Sequence, residues 1–166
     1  MRRSSSRAVP SAGHAREPLT SLPVTVFSRR SELDGAVEEL ATRGFQVVVL
    51  DAGSWSTGAE VHRDIAVALD FPAYYGRNLD ALDDCLSDVV AREYGWQPTA
   101  AGLALSFLGF DRFAAALPDL APALVDILVT QARGAAEAGA TMALLLQSDD
   151  RELGGDSMGA PGAVGL

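Results

Sequence analysis

Apolar runs at residues 45–50, 103–108 and 142–146 recur along this chain, with helical patterns between them. Short segments dense in Val and Leu, bounded by Gly, Asp or Pro, are what strands buried on both faces look like. Strands that alternate with helices are joined by right-handed crossovers, and the result is a parallel sheet with helices on its faces. The expected fold class is therefore α/β, a small parallel sheet of three strands, or four if the β-like run at residues 24–27 joins it. Residues 45–50 read as a buried strand. Ser31 with Asp34 forms a capping-box variant ahead of Leu33, Val37 and Leu40, a helix that ends at Gly44. Thr57 is placed to cap a helix through Val61, Ile65 and Leu69. A short helical piece is expected at 111–116. A long helix opens at 118–122, carries Leu124, Ile127, Leu128 and Ala132, and is closed by Gly139.

With 166 residues, 48% of them hydrophobic, the chain holds one domain's worth of core. That domain is expected at residues 24–148, after a disordered Ser- and Arg-rich tail at 1–23 and before a flexible Gly-rich tail at 149–166. Net charge is −9, and every basic residue is an arginine. An acidic protein is poorly suited to direct nucleic-acid binding, because each phosphate contact needs a cation from the protein. It suits a basic protein partner. Cys85 is the single cysteine, so no internal disulfide can form and a reducing compartment, the cytoplasm, is the expected location. Neither a bilayer-spanning run nor a secretory signal is read in the sequence, and no membrane association is expected.

The most informative stretch is residues 71–86. Pro72 and Gly76 bracket Tyr74 and Tyr75 in a turn, the proline fixing one φ and the glycine supplying a positive one. Asn78 stands at a helix N-cap position. Beyond it Leu79, Leu82, Leu86, Val89 and Val90 share one side of a helix, with Cys85 toward that side as a small buried hydrophobe. Asp80, Asp84 and Asp88 share the adjoining side, and Asp83 falls at the boundary.

The run YYGxNLDAL, then a carboxylate and DCL, resembles the signature of the barstar family, small inhibitors of secreted ribonucleases. The resemblance extends from about Val47 to Gln147 in the order of elements and implies the family's small three-stranded parallel sheet with helices. It also implies that Tyr74, Gly76, Asn78, Leu79, Asp80 and Asp84 face the nuclease, with Asp84 as the central carboxylate that mimics phosphate. Tyr75, Asp83, Ser87 and Asp88 complete the candidate contact set. The implied partner is a basic, extracellular-type ribonuclease or a related basic toxin, bound by a chain that is monomeric when free and needs no cofactor. Two positions depart from the family: Asp83 stands where an aromatic is common, and Gly134 where a further interface glutamate is expected, with Glu137 out of phase.

Blander readings stand beside these. Aspartates in a first turn stabilise any helix through its dipole. Asp51, at a strand's C-terminal end, reads as the start of a turn, although open α/β sheets also place functional groups there. Trp55 is expected at the core edge. Trp96 reads as a core plug in preference to an extension of the tyrosine platform. His62 has no partner at catalytic or metal spacing and reads as a surface residue without a role. The alternative functions are an interaction protein on the same scaffold for another basic protein and, less favoured, an enzyme. In the latter, Asp51, Asp80, Asp83 and Asp84 would hold Mg²⁺ for phosphate hydrolysis; no phosphate loop or nucleophile–base motif accompanies them.

Overall fold

The structure, a computed structural model, describes residues 23–150; the expectations for most of the two tails lie outside the described residues. Four strands form one sheet: β1 (Val24–Phe27), β2 (Gln46–Leu50), β3 (Leu103–Phe107) and β4 (Met142–Gln147). Their order is β1-β4-β3-β2 and every pairing is parallel. The run at 24–27 therefore does join the sheet, Val24 opposite Leu144 and Phe27 opposite Gln147. Among the described residues five α-helices connect the strands: α1 (Arg30–Thr42), α2 (Gly58–Ala68), α3 (Leu79–Val90), α4 (Phe110–Ala116) and α5 (Leu120–Glu137).

The period-2 alternation of the central strands divides the core. Leu103, Leu105 and Phe107 of β3 and Met142, Leu144 and Leu146 of β4 face the main cluster, with Leu82, Leu86 and Val89 of α3 and Leu124 and Leu128 of α5. Ala104, Ala143 and Leu145 face the other way, onto Leu33 and Leu40 of α1. Small side chains on that face let one helix lie close, whereas the large ones opposite fill the space under several. Fully burying each such leucine contributes about 1.5–3 kcal/mol. Among the described residues no helix is long and apolar enough to cross a membrane.

The structure departs from three expectations of the sequence. Residues 45–50 are not a strand buried on both faces: β2 is an edge strand that pairs only with β3, mostly half-buried, with Val49 51% exposed. Ser31 and Asp34 do not cap α1. The helix starts two residues earlier than that cap implies, its N-cap Arg29 makes no side-chain cap, and Asp34 instead accepts from Arg30 Nε at 2.8 Å, an i,i+4 pair. Trp55 lies inside the core and not at its edge, stacked edge-on against Phe107 and Phe113. Other expectations hold. Trp96 is a buried core residue, Cys85 is buried, and Asp51 leads into a single 3₁₀ turn at Ala52–Ser54. Gly139, at φ 79°, follows the end of α5.

Candidate partner-binding site

The site is built on α2 before it reaches the tyrosines. Thr57 accepts from the Glu60 amide while Glu60 accepts from the Thr57 amide, a full capping box that starts α2. Bonds from the Ser56 amide and hydroxyl, and then from the Thr57 amide, hold the Glu60 carboxyl below its ordinary value. One turn on, Asp64 accepts from Arg63 at 2.8 Å and from the indole of buried Trp55 at 2.8 Å, and these bonds, that of Arg63 foremost, lower its pKa.

His62 is not the surface residue expected from the sequence but a buried part of the candidate site. It is 7% exposed and its Nδ1 is hydrogen-bonded to the Tyr75 hydroxyl. Burial, then the charge of Arg77, holds the imidazole below its usual range. Burial also pushes the Tyr75 phenol up to about 12, helped by Cys85 and opposed by Arg77. Both partners are therefore neutral near pH 7. The signal was present: His62 stands three residues before Ile65 and seven before Leu69, on the apolar stripe of α2.

The two tyrosines part company. Tyr75 is half-buried, packed edge-on against Phe71 with ring centroids 5.0 Å apart, and its amide closes the turn onto the Pro72 carbonyl at 3.0 Å. Tyr74 is 79% exposed. The turn is tight as expected, yet Gly76 does not supply its positive φ. Arg77 does, at φ 51°, directly before the helix. Gly76 serves by being small: a Cβ there would sit 3.3 Å from the Asn78 amide nitrogen and 3.4 Å from the Ala81 Cβ. Asn78 then caps α3, its Oδ1 accepting from the Ala81 amide at 2.8 Å.

Along α3 the inner side is as expected, with Leu82, Cys85, Leu86 and Val89 buried and Leu79 half-buried. The four aspartates divide into two kinds. Asp83 accepts from Gln131 Nε2 of α5 at 2.8 Å. Asp88 accepts from the Tyr94 hydroxyl at 3.2 Å, which also reaches the Cys85 carbonyl at 3.2 Å. Burial, with Cys85 and Asp88 adding to it, drives the Tyr94 phenol far above its ordinary value. Asp80 and Asp84, in contrast, are exposed and make no hydrogen bond or ion pair with any described residue. They lie one turn apart, about 6 Å along the axis, with exposed Ser87 beside them.

Outside this face the departures noted in the sequence are visible. Gly134 is exposed with open space where a side chain would project, and Glu137 is exposed on the same helix. Among the described residues no three His, Cys, Asp or Glu side chains are grouped so that they could hold a metal ion, so the four-aspartate Mg²⁺ set does not come together.

The chain is similar to a curated protein of Bacillus subtilis (strain 168) named "Putative ribonuclease inhibitor YrdF", with 48% identity over 40 residues, 24% of this chain and 44% of that relative's length. The family model described as Barstar (barnase inhibitor) matches residues 45–147, which run from the start of β2 to the end of β4 and contain the tyrosine turn and α3. With more than half of its length matched, the chain belongs to the barstar family.

Proposed function

We propose that this protein inhibits a ribonuclease by seating Tyr74, Asp80 and Asp84 in the enzyme's cationic active site, without catalysing a reaction itself. One observation carries the reading: inside the family-matched segment, two aspartates one turn apart stand exposed and unengaged beside an exposed tyrosine. A ribonuclease site must hold and stabilise phosphate charge, so carboxylates at that spacing meet the same donors. Asp84, one turn inside the helix, is the phosphate mimic, and Asp80 flanks it. Tyr74 supplies stiff contact area at low entropic cost. Tyr75, Gly76, Asn78 and Leu79 act by shaping the turn and the helix start. Asp83 and Asp88, already bonded within the chain, join at the edge with Ser87. The net charge of −9 speeds encounter with a basic enzyme.

The inhibitor works as a monomer in the cytoplasm, a reading supported by its lone buried thiol. A different target from that of other family members is favoured by the aspartate at 83, bonded to Gln131, and by the open surface at Gly134. The test is to add the purified chain to the basic secreted ribonucleases and toxins of the source organism and follow RNA cleavage. Stoichiometric inhibition of one of them, lost in Asp84→Ala, is the expected result. Full RNA cleavage by every one in the presence of excess chain would end the proposal.

A further inference from the structure

Next to the acidic helix the tyrosine turn carries a cation, Arg77. A cleft of about 400 Å³ lies between α2 and the tyrosine turn, lined by Arg63, Val67, Phe71, Pro72 and Arg77, with Asp70 also on its wall. That volume lies in the range of small-ligand sites and admits one or two side chains. Its apolar part is open to solvent at Val67, 79% exposed. Of its two guanidiniums Arg63 is ion-paired to Asp64 at 2.8 Å, which leaves Arg77 as the cation on this wall that no ion pair engages.

Arg77 makes no hydrogen bond or ion pair with any described residue. Arg63 gives its Nε to Asp64, and its terminal nitrogens have no hydrogen-bond partner among the described residues. Arg77 also occupies the left-handed region, at φ 51°, where glycine or asparagine would sit without strain. Gly76, the adjoining residue, does not take that conformation. An arginine held in a strained turn, unpaired, at the mouth of a half-apolar cleft invites a functional reading.

We propose that this cleft is a second contact area of the same interface, and that it receives from the partner protein a carboxylate flanked by an aliphatic side chain. Arg77 reads the charge through the fork geometry in which guanidinium matches carboxylate, while Val67, Phe71 and Pro72 take the aliphatic group. The proposal rests on the inhibitor reading for the identity of the partner. It adds that the partner carries an acidic residue next to its cationic site. The charges along the interface then alternate, and a nuclease with a cation at that place is rejected by Arg77.

The experiment titrates the isotopically labelled full chain with the capped dipeptide acetyl-Leu-Glu-amide, with acetyl-Leu-Gln-amide as the uncharged control, and reads backbone amide shifts. Saturable millimolar shifts at Val67, Phe71 and Arg77, seen with the glutamate peptide and reduced at least fivefold in Arg77→Gln, are expected. Arg77→Gly should lose the shifts while keeping or raising the melting temperature, which a merely structural arginine would not do. Equal shifts with both peptides, no shifts with either, or unchanged binding by Arg77→Gln would overturn the proposal. RNA-cleavage inhibition measured on the same samples separates the two ideas. Peptide binding by a chain that inhibits no ribonuclease removes only the partner's identity, and inhibition without peptide binding removes only the cleft.

Discussion

The imidazole of His62 and the hydroxyl of Tyr75 share a hydrogen bond that ties α2 to the tyrosine turn. Its consequence is mechanical. Phe71 and His62 hold Tyr75 inward from two sides, so Tyr74, the preceding residue, is presented outward on a stiff support. An interface anchor that needs no ordering on binding retains more of its contact energy.

Acidification should loosen this support. Burial and Arg77 keep the folded imidazole below its ordinary value of 6.5, so just under that pH the unfolded chain binds a proton that the folded chain refuses. Stability contributed by neutral His62 is fully present above about pH 6.5 and is lost as pH falls from there toward the lower, folded value. Melting temperatures between pH 7.5 and 5.5 should drop more steeply for the natural chain than for His62→Gln. Parallel slopes would show that His62 does not titrate against folding.

The two tyrosines should separate stability from binding. Tyr75→Phe leaves a buried imidazole nitrogen unpaired and is expected to destabilise by about 1–3 kcal/mol, seen as a shift in the urea midpoint. Tyr74→Ala, at a side chain 79% exposed, should leave that midpoint within about 0.5 kcal/mol. Its effect belongs in the dissociation constant for the nuclease, raised roughly tenfold or more.

The aspartates of α3 make the same separation within one helix. Asp84→Ala removes a free carboxylate and should weaken binding by about 2 kcal/mol or more without lowering stability. Asp88→Ala removes the acceptor of Tyr94 and should cost stability by about 1 kcal/mol while changing binding little. Equal losses of affinity, measured by titration calorimetry, would mean diffuse attraction in place of specific mimicry.

Much of this was legible in the sequence because it is local. The runs of Val and Leu, the helical spacing from Leu79 to Val89 and the caps at Thr57 and Asn78 are all set within a few residues, and each has its element in the structure. What sequence could not show is who meets whom. Asp83 and Gln131 are 48 residues apart and touch only because α3 packs on α5. Val49 gives no local sign that β2 is an edge, since strand order follows from the crossovers. The positive φ fell on Arg77 and not Gly76 because the whole turn, closed at Pro72 and Tyr75 and capped by Asn78, decides which peptide reverses.

The far end of α3 depends on one glycine as closely as its near end depends on Asn78. Gly95 sits at φ 71°, and a Cβ there would lie 2.2 Å from the carbonyl oxygen of Leu69 and 3.2 Å from a methyl of Val89. The contact joins the end of α2 to the last turn of α3, and the Gly95 carbonyl also accepts from Gln46 Nε2 of the edge strand β2 at 2.8 Å. Backbone cannot swing aside as a side-chain tip can. Gly95→Ala therefore adds a left-handed strain of about 1–2 kcal/mol to an overlap that forces α3 away from α2, for a total loss of about 3 kcal/mol or more. Gly134→Ala, on open surface in the last turn of α5, should do the opposite and stabilise by up to about 1 kcal/mol. Urea unfolding of both variants checks the pair, and a Gly95→Ala protein as stable as the natural chain would mean that α2 and α3 are not held this closely.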